Sequence, residues 1–152
     1  MKVYVASSWR NSLQAFVVKV LRGDGHVVYD FRSPKSGDNG FHWSEIDADW
    51  QSWGVNEYLK GLDHPLAVNG FNDDFAAMEW ADMCVLVLPC GRSAHLEAGW
   101  FVGQGRRLVI LTQDGEEPEL MYKMAAKVVG DCEELLTYLT TTPAPPDNED
   151  AE

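Results

Sequence analysis

The chain has 152 residues, 45% of them hydrophobic and 24% charged, enough for one domain with a buried core. Its formal net charge of −12 argues against nucleic acid as a partner, because phosphate contacts need clustered Lys and Arg. No apolar run approaches the roughly 20 residues of a membrane span, which argues against a membrane partner.

The first residues, Met-Lys-Val-Tyr-Val-Ala, are too short and strand-like for a signal peptide, so a cytoplasmic location is expected. Cys84, Cys90 and Cys132 show no CxxC spacing and fit neither a disulfide framework nor a zinc site. Cys84 and Cys132 read as small buried residues. Cys90 lies in a polar turn with no evident partner base.

In chain order, Lys2 to Ala6 reads as a strand and Ser7 to Asn11 as a polar turn. Ser12 to Arg22 reads as a helix with Leu13, Phe16, Val17, Val20 and Leu21 on one face. Gly23-Asp-Gly25 stops it, and His26 to Phe31 is a second strand, parallel to the first. Residues 32–64 form a less regular excursion. Within it, Trp43, Trp50 and Trp53 fall in eleven positions, either as a satellite cluster that packs the excursion or as an aromatic wall or lid over a planar ligand such as a nucleobase.

A short helix is expected over 56–61, a break at Asp63-His-Pro65, and a helix from Asp74 to Asp82. Met83 to Leu88 is a continuous apolar run, as in a buried parallel strand. The turn Pro89 to Ser93 and a helix over 94–103 follow, with Ser93 a candidate N-cap. Arg106 to Leu111 is a fourth strand, and Pro118 opens a helix to about Lys127. Val128-Val129 is an edge strand, and Asp131 N-caps a last helix ending near Thr140. The alternation predicts one doubly wound, Rossmann-like and flavodoxin-like α/β domain over 1–142, with a mostly parallel five-stranded sheet. Residues 143–152, proline-rich and then acidic, read as a disordered tail.

Ligands of such sheets bind beyond the carboxyl ends of the strands. The loop Ser7-Ser-Trp-Arg-Asn11 offers two hydroxyls, a guanidinium and a helix N-terminus, which suit a phosphate or carboxylate. Arg92 and Ser93 repeat that chemistry after the central strand. Neither loop contains GxGxxG or a Walker lysine, so no nucleotide cofactor is expected. His26, His42 and His64 lack metal-ligand spacing, and no metal is expected. Glu97 has a simple alternative explanation as an acid favoured near a helix N-terminus, as do Asp74 as an N-cap and Asp82 as a cap or turn residue. His95 reads as structural or exposed. A pair of carboxylates is nevertheless a sufficient machine for glycosidic chemistry, one as nucleophile and one as acid.

Val3-Tyr-Val-Ala-Ser-Ser-Trp-Arg10, Asn72-Asp-Asp-Phe75, Trp80-Ala-Asp-Met-Cys-Val-Leu-Val-Leu88 and Gly91-Arg-Ser-Ala-His-Leu-Glu-Ala-Gly-Trp100 together resemble the nucleoside 2-deoxyribosyltransferase-like superfamily. That group includes deoxynucleoside 5′-monophosphate N-glycosidases and cytidine-monophosphate hydrolases. The resemblance implies that Glu97 is the nucleophile, that Tyr4 orients it, and that Asp74 handles the base and its proton. It places Ser7 or Ser8, Arg10 and Ser93 where a 5′-phosphate binds, and it implies a homo-oligomer. Transferases of this family carry a base-reading acid six residues before the nucleophile, where this chain has Gly91. The excursion from Phe41 to Trp53 has no matching counterpart. Two readings follow: an enzyme cleaving or transferring the N-glycosidic bond of a (deoxy)nucleoside or its 5′-monophosphate, and a module that holds a nucleotide without turnover.

Overall fold

The computed structural model describes residues 1–142, so the tail expected over 143–152 lies outside the described residues. The strands are β1 (Lys2–Ala6), β2 (Val27–Asp30), β3 (Met83–Val87), β4 (Arg107–Leu111) and β5 (Lys127–Val129). The helices are α1 (Gln14–Gly23), α2 (Val55–Leu62), α3 (Pro65–Trp80), α4 (Arg92–Gly103) and α5 (Cys132–Thr141). The sheet order is β2-β1-β3-β4-β5, with β1, β3, β4 and β5 joined by parallel pairs. This is the expected doubly wound α/β fold. Its switch point, where the chain leaves β1 towards one edge and returns at β3 towards the other, lies between β1 and β3.

Residue alternation sets the two faces of the sheet. Val3, Val5, Met83, Val85, Val87, Val109 and Leu111 pack with Val17, Val18 and Leu21 of α1 and with Leu135 and Leu139 of α5. The intervening residues Tyr4, Ala6, Cys84, Leu86, Leu108 and Ile110 are equally buried and project to the other face. There α4 packs on β1, β3 and β4. All five residues of β3 are buried, which explains its unbroken apolar sequence.

Several local expectations are corrected. Phe16 is exposed, and Val18 is buried in α1 instead. The helix expected from Pro118 is only a 3-10 turn, Leu120–Met124. The Ala126 N–H donates to the Leu108 carbonyl, so sheet pairing captures the chain before a helix can extend and overrides its propensity. Cys132 is half-buried rather than buried. At α5 the N-cap is as expected, with Asp131 accepting from the Glu134 N–H at 2.8 Å.

The chain divides into two compact units, Met1–Tyr29 with Ala81 onward, and Asp30–Trp80. The second contains the excursion together with α3. Two of its tryptophans pack together: Trp43 meets Trp53 edge-on at 5.8 Å and Phe41 at 4.9 Å, and the Trp53 indole N–H donates to Asp47 at 2.7 Å. That bond holds the Asp47 carboxyl below its ordinary range. One helix runs from Pro65 to Trp80 where the sequence suggested a start at Asp74, so Asp74 is not an N-cap. The misleading residue is Gly70. A Cβ there would lie 2.8 Å from the Cβ of Phe41, so this glycine permits close packing rather than breaking the helix.

In the first unit the loop after β1 is tied to the end of β3 by Asn11, which is 3% exposed. Its amide donates to the carbonyls of Val87 (3.2 Å) and Pro89 (3.0 Å). Its Oδ1 accepts from the N–H groups of Leu13 (2.7 Å) and Gln14 (3.1 Å), capping α1. Asn11→Ala is expected to cost about 3 kcal/mol, because it leaves buried donors and acceptors unpaired. Asn11→Asp should be similarly destabilised, having lost the amide donor. Urea unfolding measures both.

Candidate active site

Helix α4 begins at Arg92, with Gly91 as its extended N-cap (φ −88, ψ −170) and no capping side chain. Ser93 is therefore the second helical residue and not the cap. A Cβ at Gly91 would meet nothing within 4 Å. The earlier start makes Glu97 the sixth residue of the helix, beyond the first turn in which the macrodipole acts. Dipole stabilisation consequently explains Glu97 less well than the sequence suggested.

Glu97 lies one turn before Phe101 and shares its helix face. Phe101 is fully buried, with its ring 5.7 Å from that of Tyr4. Because α4 starts at the carboxyl edge of the sheet, a residue one turn earlier on this face lies nearer that edge. Glu97 is half-buried. Its charge helps to raise two thiols, those of Cys84 and Cys90, after the larger effect of burial in each case. Cys84 is the register partner of Tyr4. The Glu97 carboxylate is thus close enough for its charge to act on a thiol of β3 and on one of the turn before α4.

Tyr4 is 1% exposed and stacks on Tyr29 at 5.4 Å. Beyond β1, the Ser7 hydroxyl donates to the Val87 carbonyl at 2.9 Å, and the Ser8 hydroxyl accepts from the Arg10 N–H at 3.2 Å. Arg10, Arg92 and Ser93 are exposed. Tyr4, Ser7, Ser8, Arg10, Arg92, Ser93 and Glu97 therefore all belong to the two β-α connections that flank the switch point. Asp74 belongs to the second unit, half-buried in the C-terminal half of α3. Asp82 plays the turn role expected of it, accepting from the Lys2 N–H at 2.7 Å.

Sequence reasoning missed a cluster on the outer side of this turn. His95 Nδ1 lies 2.8 Å from the Gly91 carbonyl and 3.6 Å from Cys90 Sγ, and its Nε2 lies 2.9 Å from the Tyr122 hydroxyl. A carbonyl only accepts, so Nδ1 donates to Gly91, and Nε2 pairs with the Tyr122 hydroxyl. The two rings are stacked, 12° from parallel. Cys90, Gly91, Arg92, His95 and Leu96 line an open depression of about 550 Å³. Cys90 thus has an imidazole neighbour, contrary to expectation. Burial, Glu97 and Glu116 nevertheless push its thiol up to about 12, so it is protonated at neutral pH. The His95 spacing to Gly91, one helical turn, was the only signal available in the sequence.

No protein-family model matches the chain, and a search of curated proteins gives no match. Solved structures do. The 2-deoxyribosyltransferase from the psychrotolerant bacterium Bacillus psychrosaccharolyticus aligns over 91% of this chain and 92% of its own, at TM-score 0.60 and 21% identity. This chain has its fold. The Clostridium botulinum CMP N-glycosidase aligns over 92% of this chain and 99% of its own, at TM-score 0.50 and 14% identity. A conserved protein from Enterococcus faecalis V583 aligns over 92% and 97%, at 0.61 and 15%. The sequence resemblance and the structural likeness therefore agree at the level of fold. Among the described residues, no helix is long and apolar enough to cross a membrane.

The thiols report on Glu97. With its thiol at about 12, Cys90 should alkylate about a thousandfold more slowly at pH 8.5 than an unperturbed thiol, because only the thiolate reacts. Glu97→Gln removes one of the two negative charges that raise it. The expected outcome is faster iodoacetamide labelling of Cys90 in that variant, with labelling of Cys132 unchanged, measured by peptide mass spectrometry.

Proposed function

We propose that this protein is a member of the nucleoside 2-deoxyribosyltransferase-like superfamily. On this reading it cleaves or transfers the N-glycosidic bond of a (deoxy)nucleoside or nucleoside 5′-monophosphate, with Glu97 as nucleophile. The observation that carries the reading is the half-buried Glu97 on α4, whose charge acts on the thiols of Cys84 and Cys90 next to the β1/β3 switch point. The sequence resemblance and the fold shared with a 2-deoxyribosyltransferase and a CMP N-glycosidase support it.

In the first step a Glu97 carboxylate oxygen attacks C1′ of the sugar. The C1′–O bond forms as the C1′–N bond breaks, and the electron pair leaves with the base, which takes up a proton. Asp74 is the proposed proton donor. Water or a second base then attacks C1′ and releases Glu97, giving hydrolysis or transfer respectively. Tyr4, held by its stack on Tyr29 and its tilted contact with Phe101, is the proposed orienting group for the carboxylate. Arg10 and Arg92, with the hydroxyls of Ser7, Ser8 and Ser93, supply the donors for a 5′-phosphate. A cytoplasmic setting, expected from the sequence, accords with such a substrate.

The test is chromatographic release of free base from deoxynucleosides and their 5′-monophosphates, with and without a second base. Glu97→Gln is expected to lower turnover about a thousandfold or more while leaving the circular dichroism spectrum unchanged. Full activity in that variant would remove Glu97 from the mechanism. Binding of nucleotides by the wild type without base release would instead favour the non-catalytic module. Arg10→Ala and Ser93→Ala are expected to raise KM for monophosphates more than for nucleosides.

A further inference from the structure

The turn that opens α4 is held from two sides. On one side the Asn11 amide donates to the Pro89 carbonyl at 3.0 Å. On the other, His95 Nδ1 donates to the Gly91 carbonyl at 2.8 Å, and Nε2 pairs with the Tyr122 hydroxyl at 2.9 Å. Tyr122 belongs to the connection between β4 and β5, whose two ends are pinned to the sheet. The Thr112 N–H donates to the Val129 carbonyl at 2.9 Å, and the Ala126 N–H to the Leu108 carbonyl at 2.9 Å. Within that connection the Tyr122 N–H donates to the Glu119 carbonyl (3.1 Å), and its own carbonyl accepts from the Ala125 N–H (3.0 Å). The phenol is therefore a fixed post. Gly91, by contrast, has no capping side chain, and a Cβ there would meet nothing within 4 Å. Burial, followed by Cys90, Glu119 and Glu116, pushes the Tyr122 phenol above its ordinary range, so it keeps its proton at neutral pH.

We propose that Tyr122 is a positioning residue that acts through His95, fixing the first turn of α4 so that Arg92 and Ser93 can hold the 5′-phosphate of a nucleotide. That the ligand is a nucleotide rests on the glycosidic reading. Arg92 and Ser93 directly follow Gly91, and both are exposed, so the core does not fix them. Glu97 lies further along the helix, flanked by Ala94 and Ala98, which are 1% and 3% exposed. Its place is set by packing against the sheet rather than by the turn. Losing the latch should therefore loosen the hold on phosphate and leave the carboxylate where it is. Donors set in place beforehand lose less freedom on binding, which is how a latch remote from the ligand raises affinity.

The experiment is titration calorimetry on the full chain carrying Glu97→Gln, so that no ligand is consumed, with the common deoxynucleosides and their 5′-monophosphates. On this background Tyr122→Phe keeps the ring stack and removes only the hydroxyl. It is expected to weaken monophosphate binding about fivefold while leaving nucleoside binding unchanged. His95→Ala should weaken it at least as much. The double variant should be no weaker than His95→Ala alone, because one residue acts through the other. Equal losses for nucleosides and monophosphates would overturn the proposal, as would no loss, or losses that add. Monophosphate binding without base release by the wild type would defeat the glycosidic step and leave the latch standing. Failure of every monophosphate to bind would sink both.

Discussion

The geometry of the candidate site depends on one buried amide. Asn11 joins the loop after β1 to the carboxyl end of β3 and caps α1 with the same side chain. In a parallel sheet the two strands beside the switch point diverge in their connections, one leading towards α1 and the other towards α4. Without a crosslink each loop would settle independently. With it, the hydroxyls and guanidinium of the first loop and the start of α4 share a common frame. The Ser7 hydroxyl adds a second tie to the same Val87 carbonyl. Such buried polar bonds contribute little net stability when made and cost much when broken, so their main effect is to specify position.

A second constraint is the phase of α4. The helix starts at Arg92 and its inner face is set by Ala94, Ala98 and Phe101, all buried. Glu97 sits on the border of that face, one turn above Phe101. A polar group so placed keeps partial contact with solvent while its charge acts on the thiols of Cys84 and Cys90 beneath it.

The strands were legible in the sequence because burial on both faces leaves an unbroken apolar run, as in Met83 to Val87. The N-cap of α5 was legible because Asp131 satisfies its N–H group locally. What escaped notice depended on distant partners. Ser93 has the chemistry of a cap, yet Gly91 takes that place. Gly70 resembles a helix breaker until Phe41 is packed against it. The pairing of His95 with Tyr122 spans 27 residues, and no local pattern announces it. The serines are candidates from the chemistry of their loops, and Glu97 and Tyr4 become candidates only through the resemblance to a family, while the two connections that carry them follow from sheet order alone. Asn11, which holds those connections together, was read only as part of a polar turn.

Gly91 has a wider consequence. Its backbone is one that any residue adopts, and the space around a Cβ there is empty. Glycine is thus not demanded by the architecture at this point. A Cβ introduced here would meet neither steric resistance nor backbone strain, and it would stand in the turn that precedes Glu97. The position is mutationally cheap. Selection, natural or in the laboratory, can therefore change residue 91 without first having to repair the scaffold.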